Sequence, residues 1–365
     1  ECIFAYGRGK SADPNTYMIS NPLDYNFHAL CTRVFDDTGL HSVIRTKKFI
    51  KWVEEYGPDV IHLHNLHGYY INYDILFKYI KEKNIKVIWT LHDCWSYTGH
   101  CPYYTFVGCD KWKYGCSNCQ QKFHHPSSFV FDRSDQNYND KKRAFRGVRD
   151  MTIVTPSAWL AGEVRKSFLG DYPVEVIPNG IDLEVFHPTE RNFRKQNKLE
   201  DKIIVLGVAN GWAETKGMKY FIELSELAGS MYQIILVGLT KKQLKNIPKG
   251  IIGIGKIENI DILVDLYSSA DIFINPTLED NFPTTHIESL ACGTPVITFR
   301  TGGAPESIDG TCGLIVNEKN AQSIFEACQH LGKKDIYMQE ACVSKSRQYS
   351  ENNTYMRYVK LYANI

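Results

Sequence analysis

The chain has 365 residues, 43% hydrophobic and 23% charged, with 42 basic against 41 acidic side chains and a net charge of +1. Such a length fits two domains, the composition excludes a disordered chain, and the balanced charge excludes a global pull toward nucleic acid. No apolar run reaches the roughly 18 residues needed to cross a bilayer.

Residues 2–6 (CIFAY) read as a strand already under way, so a further strand and helix with a glycine-rich loop are expected upstream. Short apolar strands then alternate with amphipathic helices. Strands are predicted at 59–64, 86–91, 151–155 and 174–177, and again at 203–208, 233–237, 251–254, 271–275, 295–299 and 313–316. Their near-continuous apolar character fits parallel strands covered on both faces. Helical spacing recurs in 218–229 (Phe221, Leu224, Ala228) and in 260–270 (Leu263, Leu266, Tyr267, Ala270). Strand–helix alternation of this extent predicts doubly wound α/β domains. The polar, charged segment 183–201 is the expected seam, and a cleft is expected at the carboxyl ends of both strand sets.

Several constellations carry candidate chemistry. His62 and His64 share one face of a strand, and His67 and Gly68 follow in its loop. An acceptor pocket is the favoured reading there, over a metal pair or satisfied buried histidines. The irregular stretch 93–140 contains Cys101, Cys109, Cys116 and Cys119, whose closing C-x2-C spacing fits a structural zinc that staples the loop. Reduced thiols are the plain alternative. Eleven cysteines, an odd number, favour a reducing cytosol over a disulfide scaffold. Two basic stretches, Arg45 to Lys51 and 141–149 (KKRAFRGVR), are candidates for anionic lipid headgroups or plain solvated faces. In 275–306 a strand ends, a polar loop follows, and a helix begins at Thr284 and Thr285 with Glu288 in its second turn. A helix start offers free amides to a diphosphate, and Glu288 could accept a ribose diol.

The ordered series VEVIPNGIDLEVFHP (174–188), LGVANGWAETKG (206–217), NPTLEDNFPTTHIE (275–288) and GGAPE (302–306) closely resembles family 4 glycosyltransferases. YGRG (6–9), HLHNLHGYY (62–70), WTLHDCWSYTGHC (89–101) and TPSAWL (155–160) resemble its bacterial capsular and exopolysaccharide branch. The resemblance implies a GT-B fold of two Rossmann-like domains. These would be an acceptor domain over 1–185, a nucleotide-sugar domain over 186–345, and a final helix in 346–365 packing back on the first. It implies retaining transfer from a UDP- or GDP-sugar to a glycan or lipid-linked glycan in surface polysaccharide synthesis, with no metal needed for catalysis. Localisation would be cytoplasmic, with peripheral contact at the inner face of the membrane.

By the same resemblance, Glu288 closes a pair of acidic residues whose first member is Asp280 by spacing or Glu279 by chemistry. Lys216-Gly217 matches the family's phosphate-binding lysine and glycine. An arginine usual five residues earlier is replaced by Gly211, leaving the amides of Asn210 to Trp212 to serve instead. Ile257, in the loop expected at the base, and Phe282 complete the donor side, while His92 would face the transferred sugar. Rival readings are a sugar-nucleotide 2-epimerase and an inactive sugar-nucleotide binding module.

Overall fold

The computed structural model describes residues 2–363; Glu1, Asn364 and Ile365 lie outside the described residues. The chain forms two compact units that meet in sequence between Val176 and Ile177.

In the first unit β1 (Phe4–Tyr6) pairs in parallel with β2 (Thr16–Met18). Helices α1 (Pro22–Phe35) and α2 (Val43–Tyr56) follow. A parallel sheet then runs in the order β3 (Val60–Leu63), β4 (Lys86–Thr90), β5 (Met151–Thr155), β6 (Val174–Val176). Helices α3 (Tyr73–Lys83), α4 (Ser134–Phe145) and α5 (Ala158–Lys166) complete it. Its centre is aromatic: the rings of Phe77, Trp89 and Phe145 lie 4.7–5.3 Å apart and are fully buried. Burying such a ring is worth about 1.5–3 kcal/mol.

The second unit is one parallel sheet of six strands in the order β12-β11-β10-β7-β8-β9. These are β7 (Ile203–Val208), β8 (Tyr232–Val237), β9 (Ile251–Ile254), β10 (Ile272–Asn275), β11 (Val296–Phe299) and β12 (Gly313–Val316). Successive residues of a strand point to opposite faces, and both faces are covered. Val205, Ile234, Leu236, Ile272 and Ile274 meet α7 (Met218–Leu227) and α11 (Ala321–Leu331). Ile204, Leu206, Ile235, Val237 and Phe273 meet α9 (Ile260–Ser269), α10 (Thr284–Ala291) and α12 (Ile336–Ser346). This two-sided burial is why the strand sequences lack a polar alternation. Both units are thus parallel α/β, as expected, and in the second the strand order reverses as in a doubly wound sheet.

The segment 183–201 differs from a bare linker. It contains the short helix α6 (Asn192–Gln196), whose Arg194 is buried and forms an ion pair with the buried Asp271 before β10. Its guanidinium also donates to the carbonyls of Ser269, Leu199 and Lys202. The last helix, α13 (Glu351–Ala363), is joined to the start of the second unit by the Ile181–Ser350 bridge and by Thr354 donating to the Pro178 carbonyl at 3.2 Å.

Breaking a buried, hydrogen-bonded ion pair strands the remaining charge. Arg194→Met is therefore expected to lower unfolding free energy by about 3–5 kcal/mol, measured by denaturant titration. A loss below about 1 kcal/mol would show the pair to be dispensable.

Candidate active site

The strand order of the second unit reverses between β7 and β10: the chain runs outward through β8 and β9 from one, through β11 and β12 from the other. In such sheets ligands bind outside the carboxyl ends at that reversal. The loops leaving β7 and β10 carry the residues singled out in 210–217 and 279–288, so the sheet brings the two sets together.

The loop after β7 is held tightly. Trp212 is buried and its indole donates to the Val237 carbonyl at 2.9 Å, between Gly211 at φ 87° and a short helical turn over Glu214–Lys216. That turn ends at Gly217, at φ 74°, where a Cβ would lie 2.2 Å from the Pro276 carbonyl oxygen. Leu278 N donates to the Thr215 carbonyl at 2.7 Å, and Thr277 Oγ1 to the Glu279 carbonyl at 2.8 Å. These links set Lys216 Nζ 2.8 Å from Asp280 Oδ2. The neighbouring Glu279 side chain is instead buried. Asn210 is exposed and Ile257 half-buried against the β7–β10 core.

Helix α10 begins after Pro283 with no side chain capping it. Thr284 is exposed and Thr285 half-buried. One turn on, Glu288 accepts from the Tyr267 hydroxyl at 2.9 Å and from the Thr284 side chain. Burial raises its pKa against the pull of those donors. Phe282 packs on Tyr349, and Asn179 of the VIPNGID segment donates to its carbonyl at 3.1 Å. Sequence reasoning misses His286. It is buried between Asn275 Nδ2, 2.8 Å from Nε2, and Ser307 Oγ, 2.9 Å from Nδ1, joining the PTTHIE and GGAPE segments. Burial drops its pKa to about 4, so the ring is neutral and its Nδ1–H faces Ser307. The signal available is its helical offset, which puts it on the face opposite Glu288.

In the first unit the carboxyl ends of β3 and β4 gather a second cluster. His62 Nε2 lies 2.8 Å from Thr90 Oγ1, and His64 Nδ1 lies 3.0 Å from His92 Nε2. The buried Trp89 indole donates to the His64 carbonyl at 3.0 Å. Desolvation, then repulsion from neighbouring imidazoles, holds His62 at about 3 and the more exposed His64 at about 4. His92 is also lowered, by desolvation that Asp93 partly offsets. His67 pairs with Asp93 at 3.2 Å, and Gly68 lets the Tyr70 ring approach to 3.0 Å of where a Cβ would sit.

The zinc reading is not supported. Cys101, Cys109, Cys116 and Cys119 line one small cavity, yet among the described residues no group of three or more His, Cys, Asp or Glu could hold a metal ion. Burial raises Cys116 to about 11; the hydrogen bond between Cys101 and Cys119 raises Cys101, as does burial, and lowers Cys119 to about 7. Packing staples the loop instead: Trp112 lies 4.9–5.2 Å from the rings of Tyr97 and Tyr104. Buried Lys141 also donates to the carbonyls of Trp95 and Thr98 at 2.7 and 3.0 Å. Of the two basic stretches, 141–149 is thereby largely consumed, since Arg143 pairs with Asp140 and Arg146 with Asp171.

Comparison with known proteins gives the same answer as this geometry. Residues 3–185 match the model of "Glycosyltransferase Family 4" and residues 200–334 that of "Glycosyl transferases group 1". The chain belongs to this glycosyltransferase family. It is 25% identical over 324 residues to a putative colanic acid biosynthesis glycosyl transferase of Escherichia coli, covering 85% of this chain and 77% of that one. It is 28% identical over 200 residues to a Campylobacter jejuni N-acetylgalactosaminyltransferase acting on a diphospho-undecaprenol-linked sugar, covering 51% and 53%. Among solved structures, sucrose-phosphate synthase of Thermosynechococcus elongatus aligns with a TM-score of 0.68 at 17% identity over 97% of this chain and 81% of that one. Anabaena HepE in complex with UDP aligns with a TM-score of 0.66 at 13% identity over 96% and 86%. The fold is GT-B and the chain is a transferase. No helix among the described residues is long and apolar enough to cross a membrane.

The buried histidines give a signed pH dependence. A histidine with a folded pKa near 3–4 keeps its full contribution above the unfolded value of about 6.5 and loses it as pH falls toward the folded one. Melting temperature is expected to drop from pH 7 to pH 5, and the drop to be shallower in His286→Asn, measured by calorimetry. An unchanged slope in that variant would place the titration elsewhere.

Proposed function

We propose that this enzyme transfers a sugar, with retention of configuration, from a UDP- or GDP-sugar to a glycan or lipid-linked glycan used in surface polysaccharide synthesis. One observation carries the proposal: Lys216 and Asp280 meet at the strand-order reversal, beside a helix start that no side chain caps, and both act electrostatically on His286 in its first turn. A cation and unpaired amides at one crevice suit a diphosphate. The nucleotide complexes of Anabaena HepE and the undecaprenol-linked acceptor of the Campylobacter relative support the substrate classes.

In this reading Lys216 leaves Asp280 for the diphosphate when donor arrives. As the glycosidic bond breaks, negative charge grows on the leaving oxygen, and Lys216 with the amides of Thr284 and Thr285 stabilises it. That oxygen takes the proton of the incoming hydroxyl on the same face, so no metal and no carboxylate nucleophile is required. Glu288, held by Tyr267, receives the ribose diol. The contact of Asp280 with Lys216 supports Asp280 over Glu279 as the first acidic member. Asn210, Gly211, Gly217, Ile257 and Phe282 shape the nucleotide side. His92 faces the transferred sugar, and His62, His64, His67 and Gly68 line the acceptor side.

Glu288→Gln keeps the shape but weakens charge-assisted hydrogen bonds. It is expected to weaken donor binding by about 1–3 kcal/mol, read by calorimetry with a panel of UDP- and GDP-sugars. Lys216→Ala is expected to reduce turnover more than binding, because leaving-group charge peaks in the transition state. Chelator should change neither. Donor binding and turnover intact in both variants would refute the assignment, and donor conversion without acceptor would favour an epimerase.

A further inference from the structure

Helix α1 is amphipathic the wrong way round. Its buried face is His28, Ala29, Cys31 and Thr32, while Leu23, Phe27 and Leu30 stand out at 81, 61 and 58% exposure. Spacings of four and three residues put these on one stripe. Rotating the helix to bury them would break a satisfied polar chain. The Gly39 amide donates to His28 Nε2 at 3.0 Å, His28 Nδ1 lies 2.8 Å from Ser42 Oγ, and Ser42 donates to Asp24 at 2.6 Å. The apolar stripe is therefore fixed outward.

Other apolar groups extend it. Phe129 N donates to the Arg33 carbonyl and Phe131 N to the Val34 carbonyl, laying 129–131 along the end of α1. Phe131 stacks on Phe35 with centroids 6.1 Å apart, and Phe35, Phe129, Val130 and Phe131 are all exposed. Val43 and Ile44, exposed at the start of α2, continue from Ser42. Patches of this kind on soluble domains mark interaction sites.

Charge identifies the partner. Every exposed charged side chain between residues 21 and 51 is basic: Arg33, Lys47, Lys48 and Lys51. Asp36 and Asp37 in that stretch are buried, and half-buried Asp24 accepts from Ser20 and Ser42. On α2 the exposed acids Glu54 and Glu55 lie at the far end, and Glu54 pairs with Lys83. Exposed acids do occur beyond Phe131, at Asp132 and Asp135; Asp132 accepts from the Cys119 and Ser134 amides. We propose that α1, the 129–131 segment and the first turns of α2 form a docking surface for an anionic bilayer. The apolar stripe enters the acyl boundary, and Lys47, Lys48 and Lys51 meet the headgroups.

The test is co-sedimentation of the full chain with phosphatidylcholine vesicles containing or lacking phosphatidylglycerol, both free of sugar acceptor. Its failure would therefore leave the transfer reading standing. Wild type is expected to bind the anionic vesicles about tenfold or more above the neutral ones, and less at high salt. Phe27→Asp/Leu30→Asp should abolish binding to both, and Lys47→Glu/Lys48→Glu should remove the anionic preference, with melting temperatures unchanged. Wild type that ignores both vesicles, or variants that bind as it does, overturn the proposal. So does a concentration-dependent dimer, seen by light scattering, that Phe27→Asp/Leu30→Asp dissolves without any vesicle binding in wild type, since the partner would then be a second copy.

Discussion

The geometry at the reversal between β7 and β10 depends on one close approach, that of Gly217 to the Pro276 carbonyl. A side chain there would sit 2.2 Å from that oxygen, and the backbone is left-handed as well. Only glycine meets both conditions cheaply. Because the two loops touch backbone to backbone, Thr215 can accept from Leu278, and Lys216 leaves its turn aimed at Asp280. A Cβ would push the loops apart, enough to break the 2.8 Å ion pair. Gly238, in the loop that follows the neighbouring strand β8, has a related role: a Cβ there would lie 1.8 Å from the Ala209 carbonyl. The cation's position is thus set by missing side chains as much as by contacts.

Much of this is readable in sequence. The central strands follow from short apolar runs rich in β-branched residues, such as IIVLGV at 203–208, whose lack of polar alternation fits burial on both faces. The start of α10 follows from PTT after a strand. Three things are not readable. Four cysteines in 19 residues look alike whether they bind metal or pack as thiols, and only the fold shows them packed in one cluster with Tyr97, Tyr104 and Trp112. A run such as KKRAFRGVR looks uniformly solvated, yet α4 turns Lys141 onto the loop carbonyls while Arg143 stays outside. The stretch 183–201 is polar enough to read as a seam, but its Arg194 is buried by a partner, Asp271, that is 77 residues away in sequence.

Those buried cations have a common logic. Lys141 and Lys334 are both driven down to about 7, mainly by desolvation, and each donates to backbone carbonyls, of Trp95 and Thr98 or of Ser268. A lysine amine near its titration point costs less to bury than a fixed charge, and it still ties two or three acceptors together. The arginine at 194 cannot be neutralised, and it is the one given a carboxylate.

The choice between Glu279 and Asp280 shows how chemistry and geometry divide the work in such a motif. Spacing favours Asp280 and side-chain type favours Glu279. Thr277 Oγ1 donates to the Glu279 carbonyl and ties the loop just before the two acids. Glu279 is turned into the protein and Asp280 toward the lysine, whose length makes up for the shorter carboxylate. Asp280 Oδ1 also accepts the Asn281 amide at 3.0 Å, leaving Oδ2 for the ammonium. An aspartate suits that double task better than a glutamate. Its shorter stem fixes the carboxylate against its own backbone and loses less rotamer freedom in doing so.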